Sequence, residues 1–281
     1  DEKRRRRPSV GDSLCERELL RKDARHSVAA YGSWRVTDAP EFTVLDEIGG
    51  NDGFIVTLTN DFSCMRELYA EVMPSKVSVS NVLSVARVYA SRDEYLDAVG
   101  MDMSWTAAYW SPLRREIVAY LPPEGADRLL KTFRHEAFHQ YMSYAASMYM
   151  TSPWINEGYA QYFEDVENSW GEEFVLTPGI IDGLAEYLPA LFVMDYGEFY
   201  SGDAFERRMK YRLAWSVARF IEHGAGKVRF DPFKNLKQDY MSAIVDMRGD
   251  MRAATAKAFG SDEKQKLFVE EWAKFWKNPS R

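Results

Sequence analysis

Pro122 and Pro123 separate two stretches of chain with different periodicity. Before them, EFTVLDE (residues 41–47), GFIVTLTN (53–60), NVLSVARVYAS (81–91) and RREIVAYLPP (114–123) alternate or run apolar with β-branched residues, as strands do. Residues 12–31 and 91–100 read as helices, and DFSCMRELYAEVMP (61–74) as a helix capped by Asn60 or Asp61 and stopped by Pro74. The run from Gly49 to Gly53 reads as a turn, which makes 41–47 and 53–60 a hairpin. After the prolines, nearly everything from residue 126 to 277 has helical spacing, with breaks near 151–153, 177–179 and 224–232. This order predicts an α+β chain: a mixed α/β N-terminal subdomain with a sheet, then a mostly helical C-terminal subdomain. The expected divisions are a basic arm and N-terminal helix over 1–35, an α/β subdomain over 36–125, and a helical subdomain over 126–281.

With 281 residues, 46% of them hydrophobic, the chain can bury a substantial core. Its 36 basic against 43 acidic residues give a net charge of -7, which argues against a general nucleic-acid binder, since such a protein needs a basic face. The one basic block, KRRRR at residues 3–7, reads as a solvated arm. No apolar run reaches the roughly 18–20 residues that cross a bilayer. The first residue is Asp1 rather than Met, which is compatible with a removed leader. Cys15 and Cys64 form either one disulfide or two thiols, and neither belongs to a metal-binding cluster.

The chemistry concentrates in RHEAFHQYMS, residues 134–143, which holds two of the four histidines. His135 and His139 are four apart on the first long helix after the prolines, so their imidazoles share one face. Two imidazoles so placed suit Zn²⁺, and Glu136 projects beside them, where it reaches a metal-bound water as proton acceptor without being a ligand. The competing reading is two histidines in ordinary helical packing. A third ligand is expected from SPWINEGYAQYFED: Glu157 lies in the first turn of the next helix, eighteen positions beyond His139. The competing use of Glu157 is complementation of the helix dipole. Gly158 is expected to let the backbone pass close to the metal helix. Gln161 and Glu164 face the side of Glu157 and are candidates to hold the imidazoles by their outer N–H groups, or are solvated helix residues.

HEAFH followed by WINEGYAQYFE resembles the gluzincin metallopeptidases, and the second block is similar to the W-L-N-E-G-F-A segment of aminopeptidase N relatives. The order of elements around VYASRDEYLDAVG and AFGSDEKQKLFVEEWAKFW resembles a bacterial family of peptidase-like gluzincins over residues 40–277. The resemblance implies a zincin-like fold with its sheet next to the zinc helix. It implies His135, His139 and Glu157 as zinc ligands, Glu136 as general base, and a peptide or protein substrate. It also implies an oxyanion-stabilising tyrosine, for which Tyr211 stands at a matching distance, with His223 the other possible donor. The strand over 114–123 is then either an edge strand that binds the substrate by β-addition or an interior strand. Exported members of the family imply an extracytoplasmic location and a Cys15–Cys64 bridge. The G-x-M-E-N segment by which aminopeptidases hold a free amino terminus has no match between Ser91 and Arg134.

Two functional classes follow. One is a zinc peptidase, an endopeptidase or narrow processing enzyme, with an aminopeptidase as its variant. The other is a catalytically silent peptide- or protein-binding module on the same scaffold. Retention of Glu136, which a structural zinc site does not need, favours the first.

Overall fold

A computed structural model of the chain describes residues 9–49, 52–76, 78–79, 82–164 and 178–278. The basic run at 3–7 and parts of the expected turns at 49–53 and 177–179 lie outside the described residues. The fold is α+β, with a mixed five-stranded sheet in the N-terminal part and helices throughout the C-terminal part. The chain divides into two compact units, one holding residues 1–72 and 76–145, the other residues 73–75 and 146–281.

In the first unit the described strands are β1 (Ser9–Val10), β2 (Arg35–Asp38), β3 (Phe42–Asp46), β4 (Ser78–Val79), β5 (Ser84–Tyr89), β6 (Ala108–Ser111) and β7 (Glu116–Tyr120), and its helices are α1 (Leu14–Val28), α2 (Asp52–Val72), α3 (Arg92–Val99) and α4 (Ala126–Ala145). The main sheet runs β2-β3-β5-β7-β6, with β3, β5 and β7 parallel and β2 and β6 antiparallel at the margins. Its parallel centre reads as near-continuous apolar sequence because both faces are covered. On one face Leu45 and Val85 pack against Ala24 and Val28 of α1, and Val118 packs against Tyr95 and Leu96 of α3. On the other, Phe42 stacks on Phe62 of α2, which meets Phe133 of α4 edge-on.

Residues 53–60 are the opening turns of α2 rather than a strand, and the expected hairpin between 41–47 and 53–60 does not form. The β-branched Ile55, Val56, Thr57 and Thr59 suggested a strand, yet the buried positions Ile55, Leu58, Phe62, Met65 and Tyr69 keep one helical phase through the whole element. One hairpin that does form joins β2 to β3, pairing Arg35 with the buried Asp46 across the ladder at 2.7 Å, and another joins β6 to β7. Sequence pattern had not marked β2 or β6.

The division between the units falls after Ala145, so α4 with both histidines belongs to the sheet unit. The second unit contains α5 (Pro153–Glu164), α6 (Pro178–Val193), α7 (Tyr196–Tyr200), α8 (Ala204–His223), α9 (Leu236–Asp246), α10 (Met251–Phe259) and α11 (Asp262–Lys277). Its core is aromatic: Trp154 meets Phe192 and Tyr240 edge-on, and Phe268 contacts Phe192, Phe220, Phe233 and Phe259. The buried indole N–H groups have partners, Trp154 on Thr255 at 3.1 Å and Trp272 on Ser216 at 3.2 Å. Among the described residues no helix is long and apolar enough to cross a membrane.

Candidate metal centre

The HEAFH segment sits in the second half of α4, where helical spacing places His135 and His139 one turn apart with ring centroids separated by 4.7 Å. A ligand atom from each of His135, Glu136 and His139 lies within 4.8 Å of the others, a group positioned to bind a metal ion.

That half of the helix is tied to its unit at successive turns. The Tyr69 hydroxyl, from α2, donates to the Arg134 carbonyl at 2.7 Å, directly before His135. The Arg134 guanidinium grips both oxygens of Asp61 on the same helix, at 2.7 and 3.0 Å. A fork of this kind fixes direction as well as distance. Further along, Gln140 donates to Ser84 of β5, and the Trp110 indole donates to Ser143 at 3.1 Å. Burial holds the Tyr69 phenol well above its ordinary range, so it stays a donor.

Glu136 is only 8% exposed, and its Oε2 accepts the main-chain N–H of Trp110 at 2.7 Å. Trp110 lies on β6 at the sheet margin, opposite Ile117 of β7. A main-chain donor held this way fixes the direction of the carboxylate. The strand at 116–120 is interior, hydrogen-bonded to β5 on one side and β6 on the other, so it has no open edge for a peptide to join. The sheet margin near the histidines is β6, which no sequence signal had identified.

Glu157 and Tyr211 belong to the second unit. Glu157, in the first turns of α5, is 2% exposed, and its Oε1 accepts the Tyr200 hydroxyl at 2.8 Å. One residue earlier, the Asn156 side-chain amide donates to the Tyr196 hydroxyl at 2.6 Å. Both phenols are pushed far above their ordinary range, first by burial and then by the charge of Glu157, and so stay protonated. Tyr211, on α8, packs edge-on against Phe199 at 5.1 Å and lies 6.4 Å from the Tyr200 ring. No motif in the sequence marks Tyr200; its four-residue spacing from Tyr196 on one helix is the available signal.

The close approach that Gly158 permits is to α8: a Cβ there would sit 2.5 Å from the Ala214 carbonyl oxygen. Gln161 donates to Glu164 at 2.9 Å. The His223 Nε2 meets the Tyr162 hydroxyl at 3.1 Å, and burial followed by the Arg219 charge lowers its pKa. Cys15 and Cys64 are both exposed free thiols, so the expected bridge is absent. No protein-family model and no curated protein matches this sequence.

Proposed function

We propose that the protein is a zinc-dependent peptidase of gluzincin type, acting on peptides or proteins as an endopeptidase or narrow processing enzyme. The observation that carries this reading is the cluster of His135, Glu136 and His139 on a helix anchored from three sides, with ligand atoms within 4.8 Å. The donor set fits the ion: two imidazoles and a carboxylate suit a borderline cation such as Zn²⁺ better than the all-oxygen cages of Ca²⁺ or Mg²⁺. By the sequence likeness to HExxH and WxNEG segments, the ligands are His135 and His139, with Glu157 as the third.

Bound zinc would supply a Lewis acid that polarises the scissile carbonyl and acidifies water. Glu136, aimed by the Trp110 N–H, takes a proton from the attacking water as its oxygen bonds to the carbonyl carbon. It returns that proton to the amine nitrogen as the C–N bond breaks. Tyr211 is the proposed donor to the developing oxyanion.

The test is metal content followed by hydrolysis. The purified protein should hold close to one zinc per chain and His139→Ala close to none, and zinc-loaded protein should cleave a library of peptides with blocked amino termini. Equal zinc in both proteins removes the ligand assignment. Cleavage confined to free amino termini makes the protein an aminopeptidase, and a broad screen without cleavage by zinc-loaded protein favours the binding module.

A further inference from the structure

Two consecutive residues of α5 are met by two tyrosines one turn apart on α7: Asn156 donates to Tyr196 at 2.6 Å, and Glu157 accepts from Tyr200 at 2.8 Å. The spacing follows from helix geometry, because side chains at i and i+4 lie above one another on one face. The position of α7 is in turn fixed at both ends. Asp195 and Glu198 form a reciprocal capping box at its start. At its end the Lys210 ammonium, from α8, donates to the Glu198 carbonyl at 2.6 Å and to the Ser201 carbonyl and hydroxyl at 3.0 and 3.2 Å. A five-residue helix has little stability of its own, so these outside contacts determine where its side chains stand.

We infer that Tyr196, Tyr200 and Lys210 form a positioning clip that orients the Glu157 carboxylate for metal binding. This inference rests on Glu157 being a ligand. A ligand that must be immobilised when the ion arrives binds more weakly than one already held, and outer partners of ligands typically govern affinity about 10- to 100-fold. Tyr200 is therefore a positioning residue, acting through Glu157.

The test is zinc affinity by competition with a chromogenic chelator, on the full chain, together with melting of the protein in excess EDTA. Tyr200→Phe should weaken zinc affinity by about 10- to 100-fold, while Tyr162→Phe, which removes a phenol of α5 that meets His223, should leave affinity unchanged. Wild-type affinity in a folded Tyr200→Phe protein overturns the clip, as does an equal loss in both variants. If Tyr200→Phe does not fold, Lys210→Met decides: weaker binding supports the clip and unchanged affinity overturns it. Glu157→Ala separates the two levels. Wild-type zinc affinity there means the reading of Glu157 as a ligand has failed, whereas affinity lost there with Tyr200→Phe binding normally means that only the clip has failed.

Discussion

In the first unit His135, Glu136 and His139 stand on one helix, which hydrogen bonds with Tyr69 and Asp61 fix to α2 and hydrogen bonds with Ser84 and Trp110 fix to a sheet covered on both faces. In the second unit Glu157 is held by a phenol from a five-residue helix, inside a unit whose described elements are helices and whose core is packed aromatic rings. The contrast separates two ways of placing a reactive side chain. A helix carrying all its groups within the one segment HEAFH needs only to be anchored, and its relative geometry comes from the helix itself. A side chain oriented by a partner 43 positions along the chain depends on the packing of everything that positions the partner.

The largest effect expected from that contrast is at Glu136. Glu136→Gln keeps an oxygen to accept the Trp110 N–H while losing the proton acceptor, so turnover should fall by about 10²- to 10⁴-fold at unchanged zinc content and melting temperature. Glu136→Ala should add a fold penalty of about 1–3 kcal/mol by leaving the Trp110 N–H without its acceptor. Equal melting temperatures for the two variants would show that the β6 contact does not stabilise the first unit.

Packing is expected to dominate in the second unit, and Gly158→Ala probes it. The added methyl would meet the main chain of Ala214, which can yield only if two helices separate, so chemical denaturation should report a loss of about 1–3 kcal/mol. A neutral result would mean that α5 and α8 are less tightly joined than their geometry implies.

A smaller loss is expected at the anchor of α4. Asp61→Ala removes both acceptors of the Arg134 fork at a partly buried site, which should cost about 1–2 kcal/mol in urea unfolding. Zinc affinity should change little, because His135 and His139 keep their spacing on the helix. A large fall in affinity would mean that the anchor, and not the helix, sets the geometry of the pair.

The smallest effect concerns pH. Around His223 stand Tyr162, Arg219, Glu222 and Lys227, and burial with the Arg219 charge disfavours the imidazolium in the folded state. The unfolded chain therefore binds the proton first. The contribution of His223 is intact above its ordinary value of 6.5 and is lost as pH falls through and below it. Melting temperature measured against pH should decline less steeply over that window in His223→Gln than in the parent chain.

Sequence pattern by itself determined the strands β3, β5 and β7, the change from sheet to helix at Pro122 and Pro123, and the His135, Glu136 and His139 cluster. These depend on local spacing, and a period of 3.6 residues acts wherever a helix forms. The start of the helix over 52–72 was misread because β-branched residues there outweighed a burial phase that becomes legible only over several turns. Tertiary structure alone decided that β6 forms the sheet margin, that its Trp110 N–H holds Glu136, that Cys15 and Cys64 stay apart as thiols, and that Tyr200 reaches Glu157. The Glu136 and Glu157 contacts depend on partners 26 and 43 residues away, brought into place by the burial of apolar surface, and no local spacing encodes which distant partner that burial selects.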